Sequence, residues 1–169
     1  MGQTPVRQYK TKPSWLLSEG LLLGREFQIG LESVNDWTIS IENKVHNRVA
    51  YIDFSRAFDS VSHAKLLHKL KSYGFDGILL EWIADFLTDR LHCSRVGNVL
   101  SSPRYIRSGV VQGSCLGPLL FLIYINDLLD FNAGVTCKLY ADDVKLYTDI
   151  VSTTDWFRFQ DCLDSVYKW

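Results

Sequence analysis

The spacing of apolar residues changes several times along the chain, and each change marks a predicted element. Residues 25–43 carry apolar side chains at roughly helical spacing, which predicts a helix: Phe27, Leu31, Val34 and Ile41, with Trp37 nearby. Residues 49–54 read Val-Ala-Tyr-Ile-Asp-Phe, a short run of β-branched and aromatic residues that predicts a strand. From Ser62 the spacing becomes helical again, and this helix is predicted to end at Gly74.

The middle of the chain predicts a second helix and then a strand pair. Leu79, Ile83 and Phe86 follow a helical stripe that stops at Asp89. Residues 91–99 and 105–110 are then predicted to be strands of a β-hairpin or β-ribbon, because a Gly-Asn turn at residues 97–98 and a Ser-Ser-Pro connection interrupt them.

The last third predicts a buried helix, a hairpin and a final helix. Residues 119–129 are apolar on nearly every face, as in a fully buried helix. Residues 135–140 and 144–147 read as strands, and Ala141, Asp142 and Asp143 between them suit a tight turn. The closing segment places four apolar residues on one helical face: Trp156, Phe159, Leu163 and Val166. This order predicts an α+β fold, an antiparallel sheet with helices packed on one face.

Composition limits the class of protein. A chain of 169 residues that is 47% hydrophobic can bury a core, and its length indicates one domain after a poorly structured extension at residues 1–18. Four cysteines lie far apart without a Cys-x-x-Cys pair, which favours reduced thiols over zinc or disulfides. No signal peptide or apolar run long enough to span a bilayer is present, so we expect an intracellular protein of the nucleus or cytoplasm.

The charge is unevenly placed although the formal net charge is only -1. Residues 90–107 contain no acid, and they carry His92 and four arginines: Arg90, Arg95, Arg104 and Arg107. A basic strand pair can face a phosphate backbone, and it can equally be a solvated edge protected by charge. The sequence leaves both interpretations open.

Three acids are candidates for chemistry. Asp53 lies near the end of an apolar strand, and Asp142 and Asp143 lie at a hairpin tip, where acids are most often simple turn residues. If the two positions met in one sheet, they would form an all-oxygen cluster that suits Mg²⁺ and two-metal phosphoryl transfer. Their spacing alone does not establish that they meet.

Three segments resemble motifs A, B and C of reverse transcriptases, and they occur in the same order. Residues 53–63 read Asp-Phe-Ser-Arg-Ala-Phe-Asp-Ser-Val-Ser-His, residues 109–118 read Gly-Val-Val-Gln-Gly-Ser-Cys-Leu-Gly-Pro, and residues 140–143 read Tyr-Ala-Asp-Asp. Trp82, Phe86, Arg90 and the helix at residues 119–128 are similar to jockey-like elements without long terminal repeats, the LINE type. The resemblance extends from about residue 20 to Trp169 and is densest in residues 51–147.

The resemblance implies a polymerase palm that adds deoxynucleoside triphosphates to a DNA primer on an RNA template. It implies that Asp53, Asp142 and Asp143 are catalytic and hold two Mg²⁺ ions, for which Mn²⁺ can substitute. It also implies a set of nucleotide-binding residues: Phe54, Arg56, Phe58, Gln112 and Gly113. Within this set, Phe58 would act as a steric gate that excludes a ribose 2′-OH.

Several of these residues have simpler interpretations. Phe58 could serve in ordinary core packing, Gln112 could be a solvated loop amide, and Arg56 could form a surface ion pair with Asp59. His63 precedes an amphipathic helix, so a structural or capping role is favoured over acid-base chemistry.

The chain also departs from the family pattern. Val111 stands where relatives usually have proline, and residues 19–27 only partly match the family segment expected there. Residues 19–169 look like a partial domain without most of the fingers and the thumb, so we expect weak or no polymerase activity from the chain alone. A non-catalytic remnant that binds nucleic acid is the alternative. A nucleotidyl cyclase is disfavoured by the Gln112-Gly113 and Gly117-Pro118 pairs, and the oligomeric state stays open.

Overall fold

The computed structural model describes residues 25–131 and 134–169. The predicted extension at residues 1–18 and the segment from Glu19 to Gly24 lie outside these residues. The described elements follow in chain order: α1 (Arg25–Glu42), β1 (His46–Asp53), α2 (His63–Ser72), α3 (Gly77–Leu87), β2 (Leu91–His92), β3 (Arg95–Val96), β4 (Val99–Leu100), β5 (Arg104–Tyr105), α4 (Leu116–Ile125), a 3₁₀ helix (Asn126–Phe131), β6 (Thr136–Tyr140), β7 (Asp143–Ile150) and α5 (Thr153–Lys168).

The central sheet has three antiparallel strands in the order β1-β7-β6. β7 lies in the middle, where it pairs with β1 from His46↔Ile150 to Asp53↔Asp143 and with β6 from Thr136↔Tyr147 to Tyr140↔Asp143. Because successive strand residues point to opposite faces, Val144 and Leu146 share one face, and Asp143, Lys145 and Tyr147 share the other. The predicted α+β class and antiparallel sheet are confirmed.

The core lies on the face of Val144 and Leu146. Helices α2, α4 and α5 supply most of its other members, and α3 packs against α2. α4 is apolar on nearly every side, as predicted, and five of its ten residues are buried. The fully buried large side chains include Leu66, Leu70, Leu87, Leu120, Ile123, Leu146 and Phe159.

The first helix packs on the opposite face of the sheet, an arrangement that the expected one-sided packing did not include. Tyr147 donates from its hydroxyl to Asp36 (2.5 Å), and Ser40 donates from its hydroxyl to Asp149 (2.6 Å). Three of the apolar residues that predicted this helix lie on its exposed side: Leu31, Val34 and Ile41 are 53%, 54% and 73% exposed. This sheet face bears polar and charged side chains, so the polar side of α1 packs against it. Ser33 and Ser40 on that side of the helix are buried.

The predicted β-ribbon forms, but its strands are shorter than the sequence suggested. β2 pairs with β5, and β3 pairs with β4 around the turn at residues 97–98. Residues 106–110, predicted as part of a strand, form a loop that packs against the residues after β1. The strand prediction was wrong there because this backbone bonds to a loop, with Val110 N–H donating to the Phe58 carbonyl (2.9 Å).

The four cysteines are free thiols: Cys93, Cys115, Cys137 and Cys162. Burial, with a smaller contribution from Cys162, raises the pKa of Cys137 to about 12, so this thiol stays protonated at neutral pH. Within residues 25–131 and 134–169, no helix has both the length and the apolar character needed to cross a bilayer.

Candidate active site

Two of the three candidate acids face each other across the sheet. Asp53 is the last residue of β1, and its antiparallel partner is Asp143, the first residue of β7. Directly paired residues of antiparallel strands point to the same face, so both carboxylates lie on the α1 side of the sheet. Both residues are exposed, and Asp142, one position earlier in the turn, is half-buried. The predicted meeting of the two acidic segments therefore occurs.

The turn that presents these acids is strained. Tyr140 pairs with Asp143, so the hairpin has a two-residue loop of Ala141 and Asp142. Ala141 has φ = 50°, a left-handed conformation that costs a residue with a Cβ about 1–2 kcal/mol. Two-residue hairpin loops need positive φ at one or both central residues, and glycine normally supplies it. Such strain beside two carboxylates is typical of functional sites.

A cleft of about 330 Å³ opens beside the paired acids. Asp53 and Asp143 line it together with Tyr51 and Lys145, and Ile29 and Gly30 of α1 form the opposite wall. The sequence analysis missed Tyr51 and Lys145 as site residues. The strand period of two was the available signal, since each lies two positions from a candidate acid on its own strand.

The lysines that line the cleft contact groups other than the three acids. Lys138 forms an ion pair with Glu32 of α1 (2.7 Å), and the Lys145 ammonium lies 5.3 Å from the Trp37 ring centre and 5.4 Å from that of Tyr51. Among the described residues, no basic side chain forms an ion pair with Asp53, Asp142 or Asp143.

The three acids are neighbours without forming a complete protein-only metal cage. In the described part of the chain, no group of three or more His, Cys, Asp or Glu side chains is arranged to hold a metal ion. The structure pairs Asp53 with Asp143 and leaves Asp142 beside them in the turn.

Two loops next to the acids are joined through Gly109. The first loop, residues 54–62, follows β1, and the second loop, residues 106–115, follows β5. Gly109 N–H donates to the Val61 carbonyl (2.8 Å), and the His63 ring shares a 2.7 Å hydrogen bond with the Gly109 carbonyl. A Cβ on Gly109 would lie 2.9 Å from the Asp59 Cα, so only glycine allows this approach. His63 thus has the structural role that the sequence favoured, by joining the loops, while Ser62 caps α2.

One of the predicted nucleotide-binding residues of the second loop, Gln112, is held by the first loop. Gln112 Nε2 donates to Asp59 Oδ1 (2.9 Å), so Gln112 is exposed but not a free amide. The Arg56–Asp59 ion pair, the simpler interpretation of Arg56, is absent from the described residues, and Asp59 binds Gln112 instead. Sequence reasoning missed this role of Asp59 because the two residues are 53 positions apart. Gly113 has φ = 79° and open space around its Cβ position.

The second loop does not depend on proline for its shape. The Ser114 hydroxyl donates a hydrogen bond to the Val111 carbonyl (2.6 Å), and Ser114 Oγ accepts one from Gly117 N–H (2.9 Å). A Cβ on Gly117 would lie 2.8 Å from the Val111 oxygen. These contacts fix the backbone around Val111, the position at which relatives usually have proline.

Phe54 and Phe58 both pack against the core. The Phe58 ring stacks on Phe121 of α4 with centroids 4.3 Å apart, and the Phe54 ring lies 6.1 Å from that of Trp169. Both rings are half-buried. The contacts of Phe58 therefore agree with its core-packing interpretation. They also fix the position of its ring within the first loop, beside Asp59.

Comparison with known proteins agrees with the three motifs. Residues 19–169 match the family described as reverse transcriptase (RNA-dependent DNA polymerase). The chain is 34% identical over 140 residues to the RNA-directed DNA polymerase from mobile element jockey of Drosophila funebris, which covers 77% of this chain and 15% of that protein. It is 36% identical over 114 residues to the probable RNA-directed DNA polymerase from transposon BS of Drosophila melanogaster, covering 63% of this chain and 12% of the relative.

A third relative is the Retrovirus-related Pol polyprotein from type-1 retrotransposable element R2 of Popillia japonica, 33% identical over 121 residues. That match covers 64% of this chain and 20% of the relative, so the chain spans between 12% and 20% of these curated relatives. The resemblance inferred from motifs A, B and C is confirmed. The chain belongs to the reverse transcriptase family and is of the LINE type, from retrotransposons without long terminal repeats.

Proposed function

We propose that this chain carries the nucleotidyl-transfer site of an RNA-directed DNA polymerase. In this proposal, deoxynucleoside triphosphates are added to a DNA primer on an RNA template, and Asp53, Asp142 and Asp143 hold two Mg²⁺ ions. The observation that carries it is the pairing of Asp53 with Asp143 on one sheet face, with Asp142 adjacent in a strained turn. The names of the relatives, RNA-directed DNA polymerases of mobile elements, support the same reaction.

The donor chemistry fits magnesium. The available ligands are carboxylate oxygens, which hard cations prefer, and no described basic side chain neutralises them. Mg²⁺ in phosphoryl-transfer sites is commonly bound by one or two carboxylates together with substrate phosphates. This mode of coordination agrees with a site in which the described protein side chains alone provide no group of three ligands. Ions bound there would lower the pKa of the attacking hydroxyl and neutralise charge on the leaving phosphate.

The chain's own residues would position the nucleotide. Gln112 is held by Asp59, so its amide would meet a bound nucleotide in a fixed orientation. Gly113 lets a ligand approach the backbone closely because it has no Cβ. Arg56, exposed on the first loop, supplies a positive charge for the triphosphate, and the stacked Phe58 ring supplies a rigid wall below the sugar.

The second candidate is nucleic-acid binding without catalysis. One observation favours it: the arginines of residues 90–107 form no ion pairs among the described residues. This candidate predicts binding that does not require the acids, so the two functions separate experimentally.

The test combines metal binding with primer extension. Free Mn²⁺ is followed by electron paramagnetic resonance as the chain is titrated, for the wild type, Asp53→Asn, Asp142→Asn and the control Glu81→Gln, an exposed acid of α3. We expect the wild type and Glu81→Gln to take up Mn²⁺ and the two Asn variants to lose this uptake. Equal Mn²⁺ uptake by all four proteins would refute the proposed metal site.

The second readout is extension of a DNA primer on an RNA template with Mg²⁺ and deoxynucleotides. We expect at most weak extension by the wild type, as the partial domain predicts, and none by Asp142→Asn. The same extension signal from both proteins would refute the enzymatic proposal for this chain, whatever the Mn²⁺ titration shows.

A further inference from the structure

Helix α1 carries an exposed apolar row on the side that faces away from the sheet. The row, called the outer stripe, follows the helical spacing i, i+3, i+7 and i+10: Leu31, Val34, Thr38 and Ile41. Its three aliphatic side chains are more than half exposed, and the Thr38 hydroxyl donates to the Val34 carbonyl (2.8 Å). Single exposed apolar residues are common, whereas a continuous apolar row on one helix face is a candidate contact surface.

A different side of α1 holds the helix on the sheet, and that contact is largely polar. Asp36 accepts from the Tyr147 hydroxyl, and the Ser40 hydroxyl donates to Asp149. Ser40 and Ser33 are the residues of this side that are buried. Covering the outer stripe would therefore add hydrophobic stabilisation to a helix whose sheet contact supplies little of it.

The residues directly before α1 match the outer stripe in composition. They lie outside the described residues, but their sequence is apolar: residues 15–23 read Trp-Leu-Leu-Ser-Glu-Gly-Leu-Leu-Leu, so six of the nine are large apolar residues. Gly24 separates this segment from Arg25, the first residue of α1. Glycine permits the backbone angles that a chain reversal needs.

The segment is long enough to reach the whole outer stripe. Leu31 and Ile41 lie six and sixteen residues after Arg25, which is about 9 Å and about 24 Å along the helix. In a chain that turns back directly before α1, Leu21 can lie up to about 13 Å from Arg25, and Trp15 up to about 33 Å. Both ends of the stripe are therefore within reach.

The charges at the far end of α1 favour the same path. The last turn of the helix contains no basic residue and ends at Glu42, so its own sequence supplies no cation to the negative end of the helix dipole. In a segment that runs back along α1, Lys12 and Lys10 come next after Trp15 and would lie towards that end.

We propose that residues 15–23 fold back along α1 and cover the outer stripe, with the later leucines at Leu31 and Trp15 near Ile41. Residues 15–18 would then be part of the packed domain rather than of a poorly structured extension. Because Ile29 and Gly30 line the cleft opposite the paired acids, the segment would also hold that wall of the cleft in place. The inference goes beyond the proposed function and does not depend on metal binding by the acids.

The first test traps the contact as a disulfide, in EDTA so that metal plays no part. The exposed native thiols, Cys93 and Cys115, are replaced by serine. Leu22→Cys is then combined with Val34→Cys or, as the control, with Ile78→Cys on α3, where Ile78 is 86% exposed. Oxidised glutathione is the oxidant, the protein is dilute, and mass spectrometry locates the disulfides.

We expect positions 22 and 34 to form a disulfide within one chain. It should form about tenfold or more faster than the control disulfide between positions 22 and 78, because a docked segment raises the effective concentration of one thiol at the other.

The second test measures hydrogen exchange of the α1 amides. Leu21→Ser with Leu22→Ser should speed exchange about tenfold or more, as expected from the lost burial of one or two leucines. Val34→Ala with Ile41→Ala should also speed it, and the two pairs combined should have less than the product of their separate effects, because they remove the same contact. Ile78→Ala is the control and should leave α1 unchanged. Slow exchange of the buried amides of α4 shows that each variant is folded.

Three results would overturn the inference. One is equal rates of disulfide formation for the two cysteine pairs. Another is slower α1 exchange in Val34→Ala/Ile41→Ala, the result expected from the higher helix propensity of alanine if the outer stripe faces solvent. The third is a disulfide between two chains in place of one within a chain, which would assign the stripe to a second copy. Failure of the proposed polymerase site would appear separately, in the Mn²⁺ titration.

Discussion

Asp53 and Asp143 lie directly opposite each other at the end of the β1–β7 pair, and both are exposed to solvent. Like charges at paired positions of an antiparallel sheet are destabilising. No described basic side chain relieves this repulsion by an ion pair. The fold therefore keeps an unfavourable pair at a place where a bound cation, as proposed, would make it favourable.

Replacement of Asp53 by asparagine should stabilise the metal-free protein. Removing one of two paired charges should raise the free energy of unfolding by about 0.2–1 kcal/mol, measured by urea denaturation in EDTA. With Mn²⁺ the order should reverse, because the wild type alone gains stability from a bound ion. Glu81→Gln controls for the general effect of removing an exposed acid. A metal-free Asp53→Asn protein less stable than the wild type would contradict the repulsion.

The junction of the two loops predicts a large effect at Gly109. Gly109→Ala places a Cβ 2.9 Å from the Asp59 Cα on a residue with φ = 93°. We expect a loss of about 2–5 kcal/mol in the free energy of unfolding, from left-handed strain plus overpacking. Gly74→Ala is the matched control, since Gly74 has φ = 87° and open space around its Cβ position. For Gly74→Ala, the free energy of unfolding should fall only by the cost of the left-handed conformation, about 1–2 kcal/mol. Equal losses at both positions would show that the close approach to Asp59 is unimportant.

Local patterns were sufficient to predict the elements that carry the paired acids, but not that the acids meet. The strand before Asp53 and the hairpin around Asp142 have clear periodicity, and the motif resemblance supplied the expectation that they meet. The alternation along β1 and β7 also contains the cleft residues Tyr51 and Lys145. They were missed only because the alternation was not followed beyond the acids.

Contacts between distant segments could not be predicted in the same way. α1 buries Ser33 and Ser40 rather than its apolar stripe, because its partner is a sheet face bearing Tyr147 and Asp149. The spacing of apolar residues describes a helix, but it does not show which surface the helix will meet. The bond from Gln112 to Asp59 depends likewise on how two loops meet, and no local pattern encodes it.

Tyr147 should make stability fall at alkaline pH. It is 3% exposed, and burial first, then its hydrogen bond to Asp36, raises its pKa from 10.0 to about 12. Between these values the unfolded chain loses the proton and the folded chain keeps it, so the free energy of unfolding falls as pH rises. The contribution is fully present below pH 10. Urea denaturation at pH 7, 10 and 11 measures it.

The matching variant removes this pH dependence. Tyr147→Phe should lose about 1 kcal/mol at pH 7 with its hydrogen bond, and its stability should fall less than that of the wild type above pH 10. Tyr167→Phe is the control, because Tyr167 is 92% exposed on α5. Parallel stability curves for the wild type and Tyr147→Phe would refute the shift and the tight packing of α1 that causes it.

The stacked pair of Phe58 and Phe121 allows packing to be separated from sugar selection. Phe58→Val and Phe121→Leu each remove one ring of the stack, so each should lower the free energy of unfolding by about 1–3 kcal/mol. Only Phe58 lies on the loop that follows Asp53, so only its replacement should open space for a ribose 2′-OH. The measurement is the ratio of dissociation constants for ATP and dATP in the presence of Mn²⁺.

We expect the wild type and Phe121→Leu to prefer dATP and Phe58→Val to bind the two nucleotides with nearly equal affinity. The comparison does not require turnover, so it holds for a chain that spans 12–20% of its curated relatives. If both variants lost the preference equally, the discrimination would come from the packing of the stack as a whole. If neither lost it, Phe58 would have only its core-packing role, and sugar selection would have to come from another residue near Gln112.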